Sequence, residues 1–144
     1  MRKTKLFLLS ALLVSIFASF IPADVIPSPQ SLMVTLTGYR NSDNELKCKL
    51  YYMTTLPEDA SFIKKIHLKL EKPVDGTKKK VVSDIVIPND WEAAKNVEGV
   101  VSYYTTRNIL YIGIGEFDLL RKYECKISFI DADGNESRPA VYKK

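Results

Sequence analysis

Apolar and polar residues alternate along most of this chain. In "ELKCKLYYM", Leu46, Cys48, Leu50 and Tyr52 share one parity, and Lys47, Lys49 and Tyr51 share the other. "SLMVTLTGY" sets Leu32, Val34 and Leu36 against Met33, Thr35 and Thr37. "KKIHLKLEK" sets Ile66, Leu68 and Leu70 against Lys65, His67 and Lys69. In "KYECKISFI", Tyr123, Cys125, Ile127 and Phe129 oppose Glu124, Lys126 and Ser128. Successive side chains of a strand point to opposite faces, so this period predicts half-buried strands of antiparallel sheets.

Shorter runs add to the set. "VVSDIVIP", "GVVSYYTT", "NILYIGIGEF" and "SRPAVYKK" read as further strands, the last an edge strand because Pro139 lacks an N–H. Asp75-Gly76 and Asp133-Gly134 mark tight turns. "NDWEAAKNVEG" breaks the alternation. Asn89 can cap, Glu92 follows three residues later, Ala93 to Lys95 favour helix and Gly99 can stop it, which predicts a helix of about two turns. Seven to eight strands with one short helix predict an all-β sandwich over residues 31–144. Residues 24–30, "DVIPSPQ", carry two prolines and read as an extended leader.

The beginning of the chain is different. "MRKTKLFLLSALLVSIFASFIPA" has a basic start, an apolar run and small residues at its end, the pattern of a secretory signal peptide over residues 1–23. Cleavage is expected after Ala23, with Ala18 as the competing site. No Cys stands near either site, so a lipoprotein anchor is not expected. The whole chain has 21 basic and 17 acidic residues, a net charge of +4. Arg2, Lys3 and Lys5 leave with the peptide, so 18 basic residues face 17 acidic ones in what remains. That balance gives no argument for nucleic acid as partner, or for stable membrane insertion after cleavage. The expected location is secreted, periplasmic or extracellular, where Cys48 and Cys125 meet oxidising conditions.

Candidate chemistry is sparse. His67 is the one histidine, on the outward parity of a lysine-flanked strand, and no nucleophile motif accompanies it. It reads as a surface residue, and no catalytic group, cofactor or metal is expected. "DADGNE", residues 131–136, offers Asp131, Asp133, Asn135 and Glu136 as oxygen donors, but the twelfth position of a calcium loop would be Tyr142. A plain hairpin accounts for it. Asn135-Glu136-Ser137 is a glycosylation sequon in a host that glycosylates exports. Lys78 to Lys80 read as a solvated hairpin limb. The chain has eight tyrosines, and the adjacent pairs Tyr51-Tyr52 and Tyr103-Tyr104 should each turn one ring outward. Tyr51, Tyr103 and Tyr104 are the candidate surface contacts.

"FDLLRKYECKISFIDADGNESRP", residues 117–139, resembles the sixth strand of a fibronectin type III or immunoglobulin-like module, with its preceding corner and its hairpin to the last strand. In that resemblance Tyr123 takes the place of the corner tyrosine, whose hydroxyl bonds back to upstream backbone, and Phe117 that of the aliphatic residue six positions before it. Cys48 on an early strand and Cys125 two residues after Tyr123 match the antibody-like cysteine positions. The resemblance and the compartment together imply a Cys48–Cys125 disulfide, against the alternative of two buried free thiols. These modules have no family active site, so the resemblance implies a non-enzymatic binding or structural module that contacts a protein or glycan. The alternative is a small secreted hydrolase, or an enzyme accessory subunit or inhibitor.

Overall fold

A computed structural model describes residues 26–144. The expected signal peptide, residues 1–23, and the start of the extended leader lie outside the described residues. Eight strands and one helix follow in the order β1 (Gln30–Arg40), β2 (Leu46–Thr55), β3 (Lys65–Asp75), β4 (Lys78–Pro88), α1 (Trp91–Lys95), β5 (Val100–Thr105), β6 (Ile109–Asp118), β7 (Glu124–Ile130) and β8 (Ala140–Lys143). They form two antiparallel four-stranded sheets, β1-β2-β6-β5 and β4-β3-β7-β8. This order is consistent with an immunoglobulin-like sandwich in which the fourth strand joins one sheet and the fifth the other.

The alternation predicted from the sequence is the alternation of burial. Leu50 and Tyr52 of β2, Ile112 and Ile114 of β6, Ile66, Leu68 and Leu70 of β3, and Ile127 and Phe129 of β7 are buried. They join one continuous core between the sheets. Each sheet has one apolar face, and each face removes the other from water. A fully buried aliphatic or aromatic side chain of this kind contributes about 1.5–3 kcal/mol.

Local details depart from the sequence reading. In the β3–β4 hairpin Asp75 pairs with Lys78, so the central turn residues are Gly76 and Thr77. Only Gly76 needs positive φ, at 54°. The helix is five residues long, shorter than expected, and is preceded by Asp90, which makes no side-chain cap bond. Asn89 does not cap. Its Nδ2 donates to Ile63 O at 3.0 Å, its backbone N–H to Lys64 O, and its Oδ1 accepts the Tyr103 hydroxyl. One asparagine thus ties the β2–β3 loop, the end of β4 and β5 together. α1 packs on β5 and β4 through Ala94, which is fully buried.

Two expectations about the core need correction. Cys48 and Cys125 are both buried and both free. Cys48 lies on β2 and Cys125 on β7, in opposite sheets, as expected. The Cys48 Sγ, however, lies 3.5 Å from Asp118 O, and Cys125 has the Tyr52 hydroxyl as neighbour. Burial pushes the Cys125 thiol up to about 11 and raises Cys48 as well. Tyr123 is buried and stacks on Tyr142, with centroids 6.2 Å apart. Its hydroxyl makes no hydrogen bond among the described residues. Burial, then Tyr142 and the two thiols, push it up to about 12. The ring therefore anchors the start of β7 by packing, without the bond to upstream backbone. Phe117, paired with Cys48 across β6 and β2, packs partly buried against the same core.

Two outcomes follow from this packing. Tyr123→Phe should change unfolding stability by less than about 0.5 kcal/mol, since no hydrogen bond is lost. Tyr123→Ala should cost about 3–5 kcal/mol; equal losses in a denaturant titration would show that the hydroxyl matters instead. Alkylation after denaturation without reductant should label two thiols, and unlabelled protein would restore the disulfide.

Candidate functional site

The only histidine is not the isolated surface residue the sequence suggested. Register places His67 of β3 opposite Ser128 of β7, and Asp84 of the neighbouring β4 reaches it from one side. The β7–β8 loop brings Glu136 to the other side. His67 Nε2 meets Asp84 Oδ1 at 2.5 Å, Nδ1 meets Glu136 Oε1, and Ser128 Oγ donates to that same oxygen at 2.7 Å. His67, Ser128 and Glu136 line a shallow cleft of 170 Å³ whose wall includes Lys69 and Lys126, and Asp84 holds the imidazole from outside it. Asp84 is 17 residues from His67 in sequence and Glu136 is 69 away. No local motif signals such a cluster.

Its chemistry follows from which atoms are engaged. A neutral imidazole has one N–H and so can donate to one carboxylate only. Two flanking carboxylates therefore favour the imidazolium. Burial by itself would lower the His67 pKa, but the hydrogen bonds to Asp84 and Glu136 outweigh it and raise the value above 6.5. Burial would raise Glu136, and the Ser128 and His67 bonds prevail and lower it. With both nitrogens engaged, neither accepts a proton from Ser128, whose hydroxyl is directed to Glu136. The carboxylates lie on opposite ring nitrogens and do not converge on one point. The arrangement is a charge clasp joining β3, β4 and the β7–β8 loop.

The loop that resembled a calcium site is also occupied by its own groups. Asp131 Oδ1 accepts the N–H groups of Asp133 and Asn135 at 3.0 and 2.9 Å, and Oδ2 accepts Asn135 Nδ2. Gly134 supplies the positive φ, 82°, that closes the turn. Ser137, the last residue of the sequon, is buried, with its Oγ accepting Phe129 N–H.

Tyr39, Tyr51, Tyr104 and Tyr111 assemble on the outer face of β1-β2-β6-β5. Register aligns Met33, Met53, Tyr111 and Tyr104 in one row across all four strands. The next row is Thr35, Tyr51, Gly113 and Ser102. Met33 and Tyr104, the ends of the first row, are 59% and 60% exposed. Tyr51 lies across Gly113: a Cβ there would stand 2.8 Å from two of its ring carbons and 2.5 Å from Ser102 Oγ. Only glycine permits that pose. The Tyr51 and Tyr111 rings then meet at 5.8 Å with planes 20° apart. Lys49 covers Tyr39 at 5.0 Å, and the Tyr39 hydroxyl donates to Glu116, closing the patch with a polar border.

Of the three tyrosines expected at the surface, Tyr104 is exposed and Tyr51 is half-buried within the patch. Tyr103 is not a contact residue, because it points into the core and its hydroxyl is taken by Asn89. Tyr111 and the two methionines were missed. Their outward parity was readable, but their alignment into one row depends on strand order and register.

The clasp has a pH signature. Its folded pKa lies above the unfolded value, so the His67 contribution is fully present below about pH 6.5 and is lost as pH rises through the folded value. Wild-type stability should fall over that rise relative to His67→Gln, whose denaturant midpoint lacks this component. Superimposable profiles would remove the clasp. No protein-family model matches this chain, and no curated protein is significantly similar to it.

Proposed function

We propose that this protein is an exported, non-enzymatic binding module of the immunoglobulin-like and fibronectin type III kind, and that it holds a protein ligand on the outer face of β1-β2-β6-β5. The observation that carries this reading is the row Met33–Met53–Tyr111–Tyr104, extended by Tyr51 over Gly113. Tyrosines supply large, stiff, amphipathic contact area, and methionines adapt to irregular partner surfaces. Cross-strand pairing holds the rings in place, which lowers the ordering cost of binding.

A protein fits this face better than a glycan. Sugar recognition adds planar hydrogen-bonding side chains beside the rings, whereas the second row offers Thr35 and Ser102. Of the planar groups at the border, Asn41 donates to Glu116, and Glu116 also accepts the Tyr39 hydroxyl. The kinship with fibronectin type III modules is supported by Tyr123 at the entry to β7 and by the positions of Cys48 and Cys125 on β2 and β7. The alternative, a small hydrolase, would rest on the His67 cleft, where both ring nitrogens are already committed to carboxylates.

The test uses biotinylated protein lacking residues 1–23, incubated with the extracellular protein and glycan fractions of its source. Met33→Ser/Tyr104→Ser changes two exposed side chains and should leave folding intact. The wild type should retain a protein that the double variant binds at least about tenfold more weakly, as expected when anchor residues each lose 1–2 kcal/mol. Equal capture by both proteins, or capture of glycan alone, would reject this face as a protein site.

A further inference from the structure

Outside its first 23 residues the chain has almost balanced charge, yet the fold does not distribute that charge evenly. Four separate segments bring lysines to the end of the sandwich that holds the β1–β2, β3–β4 and β6–β7 turns. Lys72 of β3 lies opposite Lys80 of β4, and Pro73 lies opposite Lys79. Lys143 of β8 lies opposite Glu124 of β7. Tyr123 and Lys144 exchange backbone hydrogen bonds of 3.2 and 3.0 Å, which fixes Lys144 beside Lys122 at the entry to β7.

The lysines line a concave surface. Lys72, Lys79, Lys122, Lys143 and Lys144 form the wall of a cleft of 220 Å³ with Pro73 and Tyr123, and Glu124 is its one acidic group. Lys72 is shared with a second cleft of 350 Å³ that also holds Lys80, Glu116 and Lys47, the last paired with Asp118 at 2.8 Å, so Lys72 and Lys80 are the lysines there that form no salt bridge. The two clefts are therefore adjacent around the β3–β4 hairpin. Glu124 engages Lys79 at 2.5 Å and Lys143 at 3.9 Å, positioning those two ammonium groups. Lys72, Lys80, Lys122 and Lys144 form no salt bridge among the described residues. Like charges directly opposite in a ladder are destabilising, so the Lys72–Lys80 pair costs stability where it stands.

We propose that this end of the sandwich binds a linear anionic polysaccharide, one bearing sulfate or carboxylate groups, in the groove that runs past Lys72. A concave groove with two adjoining clefts accepts successive charged units of a chain, whereas a bilayer presents a plane of headgroups. Lysines are mobile point charges, suited to a repeating polyanion more than to planar, bidentate recognition. Pro73 and the lysine stems supply apolar walls for the sugar rings. The site adjoins the border of the tyrosine face at Glu116 but includes none of Met33, Met53, Tyr111 and Tyr104 and does not depend on them.

The test measures retention of the protein, without residues 1–23, on heparin and on polygalacturonate, and its sedimentation with phosphatidylglycerol vesicles. Lys72→Gln/Lys122→Gln/Lys144→Gln removes three ammonium groups that hold no salt bridge. Lys64→Gln/Lys65→Gln/Arg107→Gln removes the same charge elsewhere. The wild type and the second variant should bind at least one polysaccharide alike, and the first variant at least about tenfold more weakly. Its slope of log affinity against log salt should fall by about two, at roughly 0.7 per lost contact. Met33→Ser/Tyr104→Ser should bind as the wild type does. Equal losses in the two triple variants, no retention on either polysaccharide, or binding to vesicles alone would overturn the proposal.

Discussion

Facing residues of β2 and β7 carry the load of this structure. Leu50 and Tyr52 on one sheet and Cys125, Ile127 and Phe129 on the other are buried to within about one per cent of complete exclusion from water. Neither sheet has another apolar surface to cover it, so each is stable only with its partner. The remaining inward positions extend this contact along β3 and β6. The edges are closed by smaller devices: Ala94 of α1 beside β5, Asn89 between three segments, and the Tyr123–Tyr142 stack at β8.

Once alternate residues are committed to the core, the intervening ones are free to differ, and the two outer faces do. On β1-β2-β6-β5 they are tyrosine, methionine and threonine, with Gly113 making room for a ring. On β4-β3-β7-β8 they are ionic. His67 bridges two carboxylates, and further along the same face Glu71 lies opposite Glu124. Both glutamates are buried, with Lys126 at 3.4 Å from one and 3.8 Å from the other. Carboxylates so placed cost desolvation, and surrounding lysines offset it. The outward groups of this face are engaged in ion pairs, whereas the Met33–Tyr104 row of the other presents uncharged contact area. That contrast is why the tyrosine face is the one proposed to bind a protein.

The free cysteines show how placement and pairing separate. Both cysteines stand on the strands and parities that an antibody-like bridge would use. A disulfide also requires the two sulfurs to meet within a narrow geometry. Here Cys48 is beside the Asp118 carbonyl, and the Tyr52 ring extends to Cys125. The thiols act as small apolar groups of the core.

The sequence by itself determined which residues are strands, which parity is inward and that the strands form a sandwich. Those properties depend on a two-residue period, and the period is local. It also identified the helix, though not its length or the role of Asn89, because capping competes with tertiary hydrogen bonds that the local sequence does not display. Only the tertiary structure decided which outward residues are neighbours. His67, Asp84 and Glu136 meet because β3 lies between β4 and β7, and Met33 reaches the row of Tyr104 because β2 and β6 separate their strands. Lys72, Lys122 and Lys144 meet at one end because three turns point the same way. Strand order and register carry residues distant in sequence to within a few ångströms, and a one-residue shift would exchange every inner side chain for an outer one.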